Sequence, residues 1–368
     1  MTVASSVEPA APPQPDLTRI CAEGLGFLDE VYSAERSLFP YSSRPASGGG
    51  YVSDYDNPHA VRYTVNTLLG LFAARGAEAD AQIAGFVERH GRTLASPGDR
   101  GLLLALLAEQ GRHEAVAEEL LRSIEREARE AHASRLNMQD LGWMIWGCSA
   151  AARAGVEAAE EPAHRLFELL TERFVDPASG FPRHSVRRYR RHIVSFGSFT
   201  YFLRALHEYE LLSGDARAES LFRGASGRIL ELQGPEGEWP WLLDARTREI
   251  LDAYPIFTVH QDSMAMLFLL PAKERYGISG AEEAIERSLA WVAGRNELEL
   301  PMIEREPFCA FRSIERSERA PRLRRYLRAA RRDGGWASRP RVRLNPECRS
   351  YHVGWLLYVW ARRVSTDA

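Results

Sequence analysis

Apolar positions recur at helical spacing along nearly the whole chain, and they do so in two alternating styles. One style is charged with a single apolar stripe: Leu17 to Ser33, Ala79 to Leu94, Glu114 to Ala131, Glu161 to Phe174, Ala216 to Leu232 and Ala281 to Ala293. The other carries apolar, small and aromatic residues around most of its circumference: Pro58 to Arg75, Arg100 to Gln110, Met138 to Ala154, Phe196 to Leu212, Gln261 to Tyr276 and Arg349 to Arg363. A helix that is apolar all round must be covered on every side, and a second layer of one-striped helices supplies the cover. Six alternating pairs closing on themselves therefore predict an all-α fold, an (α/α)6 toroid or six-hairpin barrel with an inner and an outer ring. An open solenoid repeats the same kind of hairpin, so closure is an expectation that the structure decides.

Connection lengths predict the working face. Turns that leave the inner helices are short and contain glycine, as in Arg75-Gly76-Ala77, Gln110-Gly111-Arg112, Ser213-Gly214-Asp215 and Tyr276-Gly277-Ile278. Segments leading into inner helices are long: Ala34 to Asn57, Val175 to Ser195, Gln233 to His260 and Gly294 to Glu347. In antiparallel hairpins these all emerge at one end, above helix N-termini whose free N–H groups favour anionic groups.

The chain has 368 residues, 45% of them apolar and 26% charged, the balance of a protein with a large core. Residues 1–15 read as a Pro-rich disordered leader and residues 16–368 as one toroid domain. No apolar run reaches the length of a membrane span, and with no signal peptide the cytoplasm is the expected location. A net charge of −3 does not suggest a nucleic-acid partner. Basic residues crowd the segment from Arg312 to Arg343, including Arg319, Arg322, Arg324, Arg325, Arg328, Arg331 and Arg332. That run reads as a solvated helix face, with peripheral contact to a polyanionic glycan or membrane surface as the alternative. Cys21, Cys148, Cys309 and Cys348 form no C-x-x-C pair, and no Gly-rich phosphate loop or H-E-x-x-H helix occurs, so no metal or cofactor is expected.

Candidate chemistry gathers at the predicted open end. Asp54 and Asp56 precede the first inner helix, and His59, Arg62, Tyr63 and Asn66 share one stripe of it. Further along come Asp140 and Trp143, then His184, Arg188 and His192, then His260, Gln261 and Asp262, and finally Glu347, Arg349, Tyr351 and His352. Carboxylates and imidazoles from separate hairpins meeting at one end are what acid/base catalysis needs. Taken singly, Asp262 also suits a first-turn dipole partner, and His352 a core histidine. Trp239, Trp241, Tyr254 and Trp336 offer planes on which sugar rings stack. The arginines suit an anionic group on the ligand.

Ser179-Gly180-Phe181-Pro182, Gly237-Glu238-Trp239-Pro240-Trp241 and Asp333-Gly334-Gly335-Trp336, with the hairpin pattern, resemble six-hairpin proteins that include glycosidases, polysaccharide lyases and sugar epimerases. The stretch Gly237 to Met264 looks like proteins associated with bacterial polysaccharide biosynthesis. Gln233-Gly234-Pro235-Glu236-Gly237-Glu238-Trp239 is similar to the Q-x-x-x-G-x-W motif of squalene-hopene-type terpenoid cyclases, though it occurs once and Asp54-Tyr55-Asp56-Asn57 lacks the last carboxylate of their acidic motif.

The leading expectation is an enzyme acting on an acidic or polysaccharide-derived sugar, a small molecule or an oligosaccharide, by hydrolysis, epimerisation or elimination. Asp54, Asp56, His59, His260, Asp262 and His352 are the catalytic candidates, and Arg62, Arg188 and Arg349 the anion-orienting ones. A terpenoid cyclase with Asp54 or Asp56 as proton donor, and a non-catalytic glycan-binding component of a polysaccharide assembly, are the alternatives.

Overall fold

A computed structural model describes residues 14–111, 115–129, 134–188, 190–318, 324, 327–328, 331–336 and 340–364. Most of the leader, and Arg319, Arg322 and Arg325 of the basic segment, lie outside the described residues. The inner helices are α2 (Ala60–Arg75), α4 (Pro97–Glu109), α6 (Met138–Arg153), α8 (Phe196–Ser213), α10 (Met266–Glu274) and α12 (Ser350–Val364). The outer helices are α1 (Leu17–Val31), α3 (Asp80–His90), α5 (Ala115–Ala128), α7 (Glu160–Leu169), α9 (Ala216–Leu230) and α11 (Ala281–Val292). Each predicted segment is found, and the division into rings holds.

Each inner helix packs on the next, and α12 packs on α2, so the ring closes. An (α/α)6 toroid results, with the outer helices laid against the inner ones. Closure depends on backbone contact. A methyl group on Gly70 of α2 would lie 1.9 Å from the Gly354 carbonyl oxygen of α12, and one on Gly147 of α6 would lie 2.0 Å from the Gly101 carbonyl oxygen of α4. Helices that touch at their backbones make a narrow ring whose lumen side chains can fill. Polar caps start several inner helices at the open end: Ser96 accepts from the Gly98 N–H, Asn137 from Asp140, and Ser195 from Ser198.

The long connections are not irregular, as their sequence suggested. β1 (Ser42–Pro45), β2 (Tyr51–Asp54), β6 (Ile256–Phe257), β7 (Ile303–Arg305), β8 (Phe308–Arg316) and β9 (Val342–Cys348) form a sheet ordered β2-β1-β9-β8-β6, with β7 also on β8. β3 (Ile193–Ser195), β4 (Leu242–Asp244) and β5 (Ile250–Asp252) form a second sheet. The physical reason is hydrogen bonding. Loops packed on one end of the ring lose water at their backbone N–H and C=O groups, and pairing with each other replaces it. These strands come from distant parts of the chain, so no local pattern marks their partners.

About two to four turns below the open end the lumen is plugged. Arg204 of α8 lies over the Trp146 ring at 4.7 Å, donates to the Tyr358 hydroxyl and pairs with Glu208, which also takes Arg153 at 2.7 Å. Tyr358 in turn donates to Glu109 at 2.8 Å. The contact at the ring's closure makes a prediction: Gly70→Ala should destabilise the fold by about 2 kcal/mol or more through overpacking. Gly26→Ala, in exposed helix with nothing within 4 Å, should stabilise it by about 0.5–1 kcal/mol. Urea melts of the two variants check both signs.

Candidate active site

A cavity of about 290 Å³ sits at the end of the ring where the inner helices begin. α2 supplies Arg62, Tyr63 and Asn66 with His59 just before it; α6 supplies Gln139 and Trp143; α8 supplies Gly197, Ser198 and Tyr201. The connections and sheets add Tyr41, Trp241, Phe257 and Arg312, and the start of α12 adds Tyr351. His260 and Met264 complete the wall from a single wide turn of π-helix, His260–Met264, that leads into α10.

That turn sorts three adjacent polar residues to three places. The Ala265 N–H reaches back five residues to the His260 carbonyl, so the backbone is wider than an α-helix. His260 turns to the cavity. Gln261 is buried against the neighbouring connection, accepting from the Trp239 N–H and donating to the Phe257 carbonyl. Asp262 points into the wall, where both its oxygens face His352 Nε2 at 3.0 and 2.7 Å. An ionised carboxylate only accepts, so Nε2 of His352 carries the proton in that pair.

His260 is 4% exposed and sheathed by aromatic rings: Phe196 and Phe257 at 5.1 Å and Trp241 stacked at 5.9 Å. Its Nδ1 is buried without a hydrogen-bond partner. Burial, with the neighbouring His352 as a smaller cause, pushes its pKa down to about 3. The imidazole is therefore neutral at physiological pH, with a lone pair to offer. Gly197 keeps the passage open, since a methyl group there would lie 3.6 Å from His260 Nε2.

Charges around the cavity are held in clusters. Arg62 donates to Asp99 at 2.6 Å and lies over the Trp143 ring at 5.6 Å. Glu347 receives Arg312 at 3.0 Å, Arg349 at 2.6 Å and Arg44 at 2.9 Å. Burial opposes ionisation of Glu347, but Arg349 and Arg312 outweigh it and hold the carboxyl below its usual range. No Asp or Glu lines the cavity among the described residues.

Of the residues expected from sequence, His59, Arg62, Tyr63, Trp143, Trp241, His260 and Tyr351 share the cavity. Asp262 and His352 sit just behind it, 1% and 2% exposed residues that do not line it. Asp54 and Asp56 are elsewhere: both are exposed, Asp54 accepting from backbone N–H groups and Asp56 pairing with Arg36. They lie before the helix, on a strand end and turn that face solvent. Asp140 is buried in the α6 cap, accepting from Ser96 and Asn137. Arg349 is buried under Tyr41, its guanidinium carbon 3.6 Å from the ring centroid, and so does not reach the cavity. Arg188 is exposed, and His184 and His192 lie on the same connection without lining the cavity. Trp239 is core, stacked on Phe196 and donating to Ser288. Gln233 donates to the Gly237 and Ala284 carbonyls and to Ser288. The Q-x-x-x-G-x-W segment thus ties its loop to α11, a structural role.

Tyr254 and Trp336 line a separate cavity of about 400 Å³ with Glu236, Glu238 and Glu297. Burial first, then the nearby Glu297 charge, pushes Glu238 up to about 7. Residues missing from the sequence reading include Tyr41, Tyr201, Phe257 and Arg312. Gly197, Ser198 and Tyr201 fall on one face of α8, a spacing visible in the sequence. Tyr41, Phe257 and Arg312 lie in strands or loops and carry no periodic signal.

Among the described residues no group of three or more His, Cys, Asp and Glu could hold a metal ion, and no helix is long and apolar enough to cross a membrane. No protein-family profile matches the sequence, and no curated protein sequence does. Solved structures do match in fold. The cellobiose 2-epimerase of Bacillus thermoamylovorans superposes with a TM-score of 0.65 at 13% identity, over 94% of this chain and 99% of that one. An α-1,6-mannanase of Salegentibacter sp., in an inactive form holding α-1,6-mannotriose, gives 0.61 at 11% identity over 95% and 99%. A polysaccharide lyase gives 0.57 at 12% identity over 94% and 98%.

His260 also sets an expectation for acid stability. The unfolded imidazole takes a proton near its ordinary value of 6.5, whereas the folded one stays neutral down to about 3, so stability falls as pH drops through that window. Between pH 7 and pH 5 this contributes a loss of about 2 kcal/mol. Denaturant melts at the two pH values should show that loss in the native protein and a correspondingly smaller one in His260→Gln.

Proposed function

We propose that the chain is a carbohydrate-active enzyme in which His260 moves a proton at a sugar carbon, by epimerisation or elimination. The observation that carries the reading is the His260 imidazole facing a cavity that no carboxylate among the described residues lines. Hydrolysis by paired carboxyls needs two of them flanking the scissile bond. Here Asp54 and Asp56 face solvent, Asp262 is held by His352, and Glu347 is shared by arginines.

The wall suits a polyhydroxylated ring. Asn66 Oδ1 and Trp143 Nε1 are buried without partners, one an acceptor and one a donor. Both residues line the cavity, and a side-chain rotation that exposes these atoms lets a sugar hydroxyl pair with either. Tyr41, Tyr63, Tyr351 and Trp241 give aromatic surface for its C–H faces.

In this reading His260 accepts a proton from a carbon acidified by an adjacent carbonyl or carboxylate. A second group, with His59 the other imidazole lining the cavity, then supplies a proton to the opposite face while His260 keeps the first, giving an epimer, or His260 passes its proton to a substituent that leaves from the next carbon, giving a double bond. The His352–Asp262 pair sits beside His260 and serves as a positioning element that fixes its electrostatic surroundings. The toroids that match in fold include an epimerase and a lyase, which supports both outcomes equally.

The test is a panel of neutral and acidic mono- and oligosaccharides incubated in D2O and followed by proton NMR. A carbon-bound proton should exchange or a vinylic proton should appear, and His260→Ala should slow this by about 100-fold or more while leaving the fold intact. Sugar that is retained without exchange or product, or a rate untouched in His260→Ala, rejects the proposal.

A further inference from the structure

The two sides of the cavity differ in charge. On the α2 side Arg62 is matched by Asp99, with Asp140 close enough to add to the negative side. On the sheet side the count is reversed. Arg312 and Arg349, with 27% and 3% of their side chains exposed, share one carboxylate, Glu347. Arg44 adds a third guanidinium, but at 64% exposed its charge is screened by solvent. Two desolvated cations with one desolvated anion leave a positive charge in the wall, which is unfavourable until something negative compensates it.

Only one of these groups can receive that compensation. Arg349 lies beneath the Tyr41 ring and does not line the cavity, whereas Arg312, held on β8, does. The Nε atoms of both are buried and have no hydrogen-bond partner. Tyr63 and Tyr351 line the same cavity and interact electrostatically with Arg312. Burial keeps both phenols un-ionised, so their hydroxyls remain available as donors.

We infer that the ligand carries an oxyanion, a carboxylate or phosphate on the sugar, and that Arg312, backed by Arg349 and Glu347, receives it beside Tyr63 and Tyr351. The inference rests on the reading that the cavity holds a sugar, and it assigns the substrate class and a specificity residue that the periodicity of the sequence does not mark.

The experiment titrates matched ligands into the full chain by calorimetry: glucose, glucuronate and glucose 6-phosphate, and the same three in the galacto series. An acidic member should bind about ten- to hundredfold more tightly than its neutral counterpart, the range of a charge-assisted hydrogen bond. The preference should shrink with added sodium chloride. Arg312→Gln, which leaves Arg349 and Glu347 as a balanced pair, should bring acidic and neutral members to within about twofold, and Arg312→Lys should keep part of the preference. The carboxylate and phosphate arms show which oxyanion fits. Equal or weaker binding of both acidic members, a preference that survives Arg312→Gln, or no binding by any member overturns the inference. If Arg312→Gln does not fold, the Lys variant and the salt series decide. The unmodified chain separates the two claims: an acidic preference without turnover of any member leaves this inference standing and the catalytic reading fallen, and turnover of neutral sugars without preference does the reverse.

Discussion

Where α2 meets α12 there is no room for a single methyl group between Gly70 and the Gly354 backbone, and the rest of the molecule follows from that contact. Backbone-to-backbone packing draws the inner helices into a ring narrow enough for side chains to fill. Arg204, Glu208, Glu109 and Tyr358 close it partway down, joined by the Arg204–Glu208 ion pair and the hydrogen bonds of Tyr358 to Arg204 and Glu109. Above them lies the pocket. Its position is fixed by topology, because every long connection emerges at the same end.

Inside that pocket, low polarizability decides the chemistry. A histidine in water is close to its titration point at neutral pH, but the aromatic sheath of Phe196, Trp241 and Phe257 makes the charged form of His260 unfavourable. The same environment forces the carboxylates into pairs: Asp262 with His352, Asp99 with Arg62, Glu347 with its arginines. A π turn makes this sorting possible, since a regular helix would not send His260, Gln261 and Asp262 to a cavity, a loop and a wall within three residues. An epimerase, a mannanase and a lyase share the fold.

Parts of the site were legible in the sequence because they lie on helices. His59, Arg62, Tyr63 and Asn66 share a stripe at three- and four-residue spacing, and the structure turns that stripe to the cavity. Trp143 and Tyr351 sit in the first turns of inner helices. Tyr41 and Arg312 were not legible, since they reach the same cavity from a loop and from a strand whose partners are far away in sequence. Asp54, Asp56 and Arg188 looked equally suitable by residue type, and solvent took them instead.

The sequence alone determined the helices, their two classes and the end at which the long connections emerge, because hydrophobic spacing and turn length are local properties that every segment carries, while closure into a ring came from contacts between the first and last inner helices. Tertiary structure decided the strands that the long connections form, the sorting of His260 from Asp262, and the sharing of Glu347 by three arginines. Those outcomes depend on which distant groups lose water together, and burial of a charge or a backbone amide is a property of the assembled neighbourhood, not of any residue's place in the chain.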